Sequence, residues 1–227
     1  MISDFIQRAV LAIVPLVFAI TLHETAHGWA ALALGDTTAR DQRRLTLNPL
    51  RHIDRMGTII LPGILLIGQL LTIHRVAFMF GWAKPVPVSA WKFANPRRGM
   101  ALVAIAGPAM NFFLVWLTAL ALRGLADADA APWLSTALFD FMLFNMVLGL
   151  FNLLPILPLD GGRVVAGLLP ERLARSWSAL ERYGLLIVLL VILVLPNVFG
   201  VNPVNDVLET VLPWAFHLVF WLAGYHD

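Results

Sequence analysis

Residues 21–27, TLHETAH, place two histidines and a glutamate within an apolar stretch of the chain. The flanking sequences, FIQRAVLAIVPLVFAITL (5–22) and GWAALAL (28–34), are typical of a helix that lies in lipid. Ionisable groups inside a membrane are energetically expensive, and they usually mark a functional site. The stretch therefore predicts a membrane helix that carries chemistry.

The composition supports a membrane protein. Of the 227 residues, 59% are hydrophobic and 13% are charged, and the mean hydropathy is +0.80. The chain contains no cysteine, which excludes disulfides, thiolate metal ligands and cysteine catalysis. The net charge of +2 is small and comes from arginine-rich loops, which suits a membrane surface better than nucleic acid. The N-terminal MISDFIQR lacks the basic start of a secretory signal, so we expect no cleaved leader.

Apolar stretches predict an all-α, polytopic membrane protein with about five to six transmembrane helices. A spanning helix needs about 20 apolar residues, and the candidates are 5–34, 100–123, 134–154, 183–199 and 207–224. A sixth stretch, 57–73, is short and is interrupted by a proline and two glycines.

Loop charges predict the orientation. The connections 35–56 and 160–182 are rich in arginine, whereas 124–133 and 200–206 contain Asp127, Asp129 and Asp206 and no Lys or Arg. Positive loops stay on the cytoplasmic side, so 35–56 and 160–182 are expected there. The 74–98 connection is also basic, so both flanks of 57–73 favour one side. A re-entrant hairpin over about 57–82 would satisfy this, and a short spanning helix is the alternative.

The HExxH spacing of TLHETAH predicts a metal site. Positions i and i+4 share a helix face, so His23 and His27 can bind one ion. Glu24 lies about 100° round the helix, where it can reach a water on the metal more easily than the metal itself. This pattern is typical of zinc hydrolases in which the glutamate is the general base. The alternative is a structural polar cluster.

Catalytic zinc usually keeps three protein ligands, and Asp160 in FNLLPILPLDGGR (151–163) is the best candidate for the third. Pro155 and Pro158 stop a regular helix, and the glycines after Asp160 allow a sharp turn. The chain would be unwound there at membrane depth, on the cytoplasmic side like the histidines. The alternative is that Asp160 caps a short helix. We expect the remaining histidines to be solvated: His52, His74, His217 and His226.

HExxH in one membrane helix, followed by NxxPxxPLDGG at the end of a later one, resembles the site-2 protease family of intramembrane zinc metalloproteases. GWAKPVPVS (81–89) and AGPAMNF (106–112) are similar to family landmarks in the same order. The resemblance covers roughly residues 10–170. It implies that zinc is bound by His23, His27 and Asp160, that Glu24 activates water, and that Asn152 holds the substrate carbonyl or its oxyanion.

The resemblance implies a zinc-dependent endopeptidase that cuts in or near the transmembrane segment of a single-span membrane protein. We expect a protease core in 1–182, transmembrane helices in 183–227, and no room for the PDZ domain that many relatives carry. We expect a multi-pass protein of a bacterial or archaeal cell membrane, with its site toward the cytoplasm and no nucleic-acid partner. A transporter, an inactive metal-binding partner and an iron site are the alternatives.

Three asparagines and a proline-rich segment complete the expectations. An Asn152 amide can donate to an oxyanion, or it can hydrogen-bond unwound backbone. Asn145 can line a water path or join helices, and Asn111 can satisfy a kink or an interhelical contact. In 81–89 the alternating prolines predict an edge strand or extended loop. The amides of Lys84, Val86 and Val88 are expected to be free for an added substrate strand, and a plain linker is the alternative.

Overall fold

The computed structural model describes residues 2–75, 79–125 and 132–225, and these residues form helices and no strand. The helices are α1 (Ile2–Ala33), α2 (Thr38–Asp41), α3 (Leu61–Thr72), α4 (Pro96–Leu125), α5 (Pro132–Asn152), α6 (Asp160–Leu168), α7 (Glu171–Ser178), α8 (Gly184–Leu189) and α9 (Pro203–Leu222). The π-helical turns Arg55–Ile60 and Leu190–Phe199 extend α3 and α8, and short 3₁₀ turns cover Pro49–His52, Ala90–Lys92 and Ala179–Tyr183. The all-α class is confirmed. Three predicted features lie outside the described residues: Asp127 with Asp129, residues 76–78 of the predicted hairpin, and His226.

Four helical stretches within the described ranges are long and apolar enough to cross a membrane: Arg55–Thr72, Pro96–Leu125, Pro132–Asn152 and Glu171–Phe199. They correspond, within two residues at the C-terminal ends, to four of the six predicted stretches: 57–73, 100–123, 134–154 and 183–199. The other two lie in α1 and α9, which are not among the four, so the count of five to six stays a prediction.

The end of α1 is set by a glycine. Gly35 has a φ of +96°, a left-handed conformation that costs glycine little. Its N–H donates to the Leu32 carbonyl at 3.0 Å, and the Asp36 N–H donates to the Ala31 carbonyl at 2.9 Å. These two bonds form a Schellman motif, which stops the helix and satisfies its last carbonyls.

Helix α4 is the centre of the bundle and packs against α1, α5, α6 and α9. Beyond the site, α4, α5 and α9 form an apolar core from residues spaced one helical turn apart: Val115, Ala119, Met142, Met146, Ala215, Val219 and Ala223. The i, i+4 spacing places each set on one helix face, so the three helices meet along matching stripes.

The C-terminal end of α9 lies beside the C-terminal end of α4. The Arg123 Nη1 donates to the Ala223 carbonyl at 2.8 Å, and the Tyr225 hydroxyl donates to the Ala119 carbonyl at 3.3 Å. A spanning α9 that began on the same side as the 124–133 connection would instead end at the opposite face. If α9 crosses the membrane, the 124–133 and 200–206 connections therefore lie on opposite sides, although both lack Lys and Arg.

The segment that contains α3 begins and ends at the same place, where residues 57–58 contact Trp82. The Trp82 N–H donates to the Gly57 carbonyl at 3.2 Å, and the Thr58 hydroxyl donates to the Trp82 carbonyl at 2.9 Å. Helix α3 buries none of its residues. Residues 79–89 of the described chain, named the extended segment here, form neither helix nor strand, so the edge strand predicted for 81–89 is wrong and a loop is found.

Asp36 anchors this extended segment to the end of α1. Its side chain is fully buried and accepts hydrogen bonds from the Ser89 N–H at 2.6 Å and the Thr38 N–H at 2.9 Å, with the Lys92 ammonium at 3.1 Å. Burial alone would raise the pKa of Asp36, but these donors outweigh it and lower the pKa from 3.8 to about 2. The folded protein therefore favours the ionised carboxylate.

Because the pKa of Asp36 is lower in the folded state, its contribution to stability is present above about pH 4 and is lost as the pH falls toward 2. We expect Asp36→Asn to lower the thermal unfolding temperature at pH 6 and to differ less from wild type near pH 2. Thermal unfolding in detergent measures this, with exposed Asp206→Asn as the control. A constant difference across this range would contradict the assignment.

Candidate active site

His23, His27 and Asp160 converge in the structure as the sequence predicted. Asp160 Oδ2 lies 3.1 Å from His23 Nε2 and 3.3 Å from His27 Nε2, and the two Nε2 atoms are 3.1 Å apart. All three side chains are buried. Two ligand atoms bound tetrahedrally about 2.05 Å from a zinc ion lie about 3.3 Å apart. The three atoms thus have the spacing that one metal ion requires.

The hydrogen bonds around the two imidazoles leave the facing nitrogens free to bind a metal. His27 Nδ1 lies 2.8 Å from the Val103 carbonyl, which can only accept, so Nδ1 carries the proton and Nε2 the lone pair. His23 Nδ1 lies 2.5 Å from Asn111 Oδ1. With both rings donating through Nδ1, buried Asp160 Oδ2 receives no hydrogen bond. The lone pairs of the two Nε2 atoms and the Asp160 oxygen repel one another, and a cation between them would remove this repulsion.

Asp160 is the first residue of α6 and does not cap it. The N-cap residue is Leu159, and no side-chain capping bond is formed there. The chain between α5 and α6 is unwound, as the two prolines predicted. A Cβ on Gly161 would lie 2.2 Å from the Leu153 carbonyl oxygen. The glycine therefore permits close packing of α6 on the end of α5, and its φ is not positive, so the turn before α6 needs no left-handed residue there.

Glu24 points to the extended segment and is not part of the ligand group, the name used here for His23, His27 and Asp160. Its Oε2 accepts a hydrogen bond from the Val86 N–H at 3.1 Å. The Lys84 N–H donates to the His52 carbonyl at 2.8 Å, and the buried Arg44 Nη2 donates to the Lys84 carbonyl at 2.9 Å. The expectation of free amides at Lys84 and Val86 is therefore wrong, because Glu24 of α1 and His52 of the loop after α1 accept their hydrogen bonds.

A groove passes the ligand group on both sides. One cavity of about 410 Å³ is lined by apolar side chains such as Leu148, Phe151 and Val188. A second, of about 440 Å³, extends past Asp160 to Arg163. His23, Glu24, Trp82 and Asn152 line both cavities. The Asn152 amide donates to the Leu148 carbonyl of its own helix at 3.0 Å, which leaves its second N–H.

None of the other described histidines joins the group. His74 and His217 are exposed. His52 is buried, at 3% exposure, and its Nε2 lies 3.0 Å from the Thr46 carbonyl, so its expected solvation is wrong. The loop that carries it packs beneath the extended segment, which sequence spacing does not reveal.

The sequence reasoning did not identify Gly107 and Asn111 as parts of the site. A Cβ on Gly107 would lie 2.5 Å from His27 Cε1 and 2.6 Å from His23 Nε2, so only glycine lets α4 approach both rings. Asn111, one turn further along α4, reaches His23. Their i, i+4 spacing within AGPAMNF, equal to that of the histidine pair, was the available signal.

We expect Gly107→Ala to displace both imidazoles and to weaken divalent-metal binding at least tenfold, roughly the loss that follows mutation of groups supporting metal ligands. Metal competition with a chelator measures this. Gly68→Ala is the matched control, since a Cβ there meets nothing within 4 Å and a helical alanine is favourable. Unchanged metal binding by Gly107→Ala would contradict the contact.

Comparison with known proteins agrees with this geometry. The profile of Peptidase family M50 matches residues 123–196, which include Asn152 and Asp160. YwhC of Bacillus subtilis, provisionally named a zinc metalloprotease, is 40% identical over 190 residues, covering 81% of this chain and 80% of YwhC. Rip2 of Mycolicibacterium smegmatis, named in the same way, is 28% identical over 224 residues, covering 98% of this chain and 76% of Rip2.

Rip2 of Mycobacterium tuberculosis is likewise 28% identical, over 221 residues that cover 94% of this chain and 73% of that protein. No solved structure was found to match the chain. The identity to YwhC extends over four fifths of both chains, well beyond the profile match. On this similarity and on the motifs that converge in the structure, the chain belongs to peptidase family M50, the site-2 protease family that its sequence resembles.

Proposed function

We propose that the protein is a zinc-dependent intramembrane endopeptidase. The observation that carries the proposal is the convergence of two imidazole nitrogens and one carboxylate oxygen, all buried, within 3.3 Å of one another. Its relatives in family M50 carry the name of zinc metalloproteases, which supports the same reading. We assign His23, His27 and Asp160 as metal ligands, Glu24 as the general base, and Asn152 as the oxyanion donor.

The residues fit zinc. Zinc accepts imidazole nitrogen and carboxylate oxygen, and its catalytic sites keep three protein ligands and an open position. The groove lies beside the three ligand atoms, where that position would face. When bound, zinc supplies a Lewis acid that acidifies water and polarises the substrate carbonyl.

The chain's own groups would then act on an attacking water and the scissile peptide. Glu24 removes a proton from the water while the water oxygen attacks the carbonyl carbon. Glu24 then passes this proton to the amide nitrogen as the C–N bond breaks. The Val86 N–H holds one Glu24 oxygen and so fixes the direction of the carboxylate. The second Asn152 N–H donates to the developing oxyanion, an effect that is strong where water is scarce.

The surroundings of the groove support a membrane-protein substrate. Its apolar cavity is lined by α5 and α8, which belong to stretches able to span a membrane, so a transmembrane segment could enter from lipid. We also propose that Arg55–Thr72 and its return to Trp82 form the re-entrant hairpin. The hydrogen bond from the Trp82 N–H to the Gly57 carbonyl supports this, because it brings both ends of the segment to one place.

Glu24→Gln separates the base from the ligands. The glutamine keeps the size of the side chain but cannot accept a proton, so we expect zinc to stay bound while cleavage falls by roughly 10²–10⁴-fold. His23→Ala, His27→Ala and Asp160→Ala should lose zinc as well as activity. Zinc content and cleavage of co-expressed single-span membrane proteins are the measurements. Robust cleavage by Glu24→Gln would contradict the proposed mechanism. Metal analysis of the purified protein distinguishes zinc from iron.

We further propose that the site lies toward the cytoplasm of a bacterial or archaeal cell, supported by the arginines of the 160–182 connection. With no native cysteine, single cysteines report the topology. We expect Ser176→Cys to resist an impermeant thiol reagent in intact cells and to react after lysis. Gly124→Cys, at the far end of α4, should react in intact cells. If Ser176→Cys reacted in intact cells and Gly124→Cys did not, the site would face away from the cytoplasm.

A further inference from the structure

Two buried asparagines connect the metal-ligand group to the main chain of α5. Asn111 and Asn145 are both fully buried. Asn111 Oδ1 lies 2.5 Å from His23 Nδ1, and Asn111 Nδ2 donates to Asn145 Oδ1 at 2.8 Å. Asn145 Nδ2 in turn donates to the Phe141 carbonyl at 2.8 Å. The mechanism above uses neither asparagine.

Only one direction of donation is compatible with this chain. A main-chain carbonyl can only accept, so the Phe141 oxygen requires the NH₂ group of Asn145 and turns its Oδ1 toward Asn111. That oxygen requires the NH₂ group of Asn111 and turns the Asn111 Oδ1 toward His23. His23 Nδ1 must then donate, which leaves the lone pair on Nε2, the atom that faces Asp160.

The two histidines differ in how their protons are placed. His27 Nδ1 meets the Val103 carbonyl directly, and that group has one possible orientation. The partner of His23 is an amide, which can flip and offer either an acceptor or a donor. A flipped Asn111 would place an N–H against Nδ1 and favour the proton on Nε2, which cannot then bind a metal. Asn111 alone does not fix the tautomer, whereas Asn111 anchored by Asn145 does.

We propose that Asn145 and Asn111 form a relay that sets the tautomer of His23 from the Phe141 carbonyl and so prepares it to bind metal. Both are positioning residues, and Asn145 acts two hydrogen bonds away from the histidine. The inference rests on the proposed metal site. Uncharged amides suit this place, because a charged pair buried at this depth would add a desolvation cost.

The test is zinc affinity, measured by competition with a chelator on purified full-length protein. Support of this kind for a metal ligand is worth roughly 10–100-fold in affinity, and we expect Asn111→Leu and Asn145→Leu each to lose that much. Asn145→Asp should retain zinc, because its carboxylate still accepts from Asn111. Buried Thr118→Val, also in α4, is the matched control and should bind zinc as wild type does.

A double variant distinguishes the relay from simple loss of packing. Asn111→Asp replaces the amide by a carboxyl group, which when ionised can only accept from His23, whatever occupies position 145. Asn111→Asp should bind zinc at least as tightly as wild type, and adding Asn145→Leu should then cost no further affinity. Unchanged affinity in Asn145→Leu, or an equal loss in the double variant, would overturn the relay.

A direct readout needs no variant that could fail to fold. Ring ¹⁵N shifts of His23 in metal-free wild type should show the proton on Nδ1, and a proton on Nε2 would overturn the relay. A wild-type protein that binds no zinc at all would instead refute the proposed function, so the two failures are distinguishable.

Discussion

The structure depends on placing a carboxylate and two imidazoles together inside an apolar bundle. An ion pair or carboxylate removed from water costs several kcal/mol unless its remaining atoms are satisfied. Here each imidazole donates outward, to the Val103 carbonyl or to Asn111, and the inward atoms of His23, His27 and Asp160 face one another. Without the outward partners, the inward lone pairs would not be available together.

Helix α4 provides that arrangement. Three successive groups along it serve the histidines: the carbonyl of Val103, the missing side chain of Gly107, and the amide of Asn111. Their spacing of four residues matches that of His23 and His27, so α4 meets α1 along one face of each helix. Helix α4 also packs on α5 and α6, which carry Asn152 and Asp160, so these two residues and the histidines line one cavity.

The extended segment is bound by side chains of the α1 region instead of by a sheet. Glu24 holds Val86, Asp36 holds Ser89, and Arg44 holds the Lys84 carbonyl. These bonds replace the ladder that a strand would need, since Pro85 and Pro87 cannot donate. The same contacts place the wall of the groove against the proposed general base, so a change in this segment would be felt at Glu24.

The sequence by itself determined the helical membrane class, the three residues that we propose as metal ligands, the unwound chain before Asp160 and the family. Each of these follows from local rules: the length of apolar runs, the i, i+4 period of a helix, and the effect of proline on the backbone. Such rules act over a few residues and hold wherever the chain packs.

Only the tertiary structure decided which polar groups meet. The His23–Asn111 pair spans 88 residues and the Glu24–Val86 bond spans 62, so no local pattern reports them. The same holds for burial of His52, for the occupied amides of Lys84 and Val86, and for the end of α9 beside Arg123. A hydrogen bond between distant segments depends on how whole helices pack, and that packing is a property of the bundle.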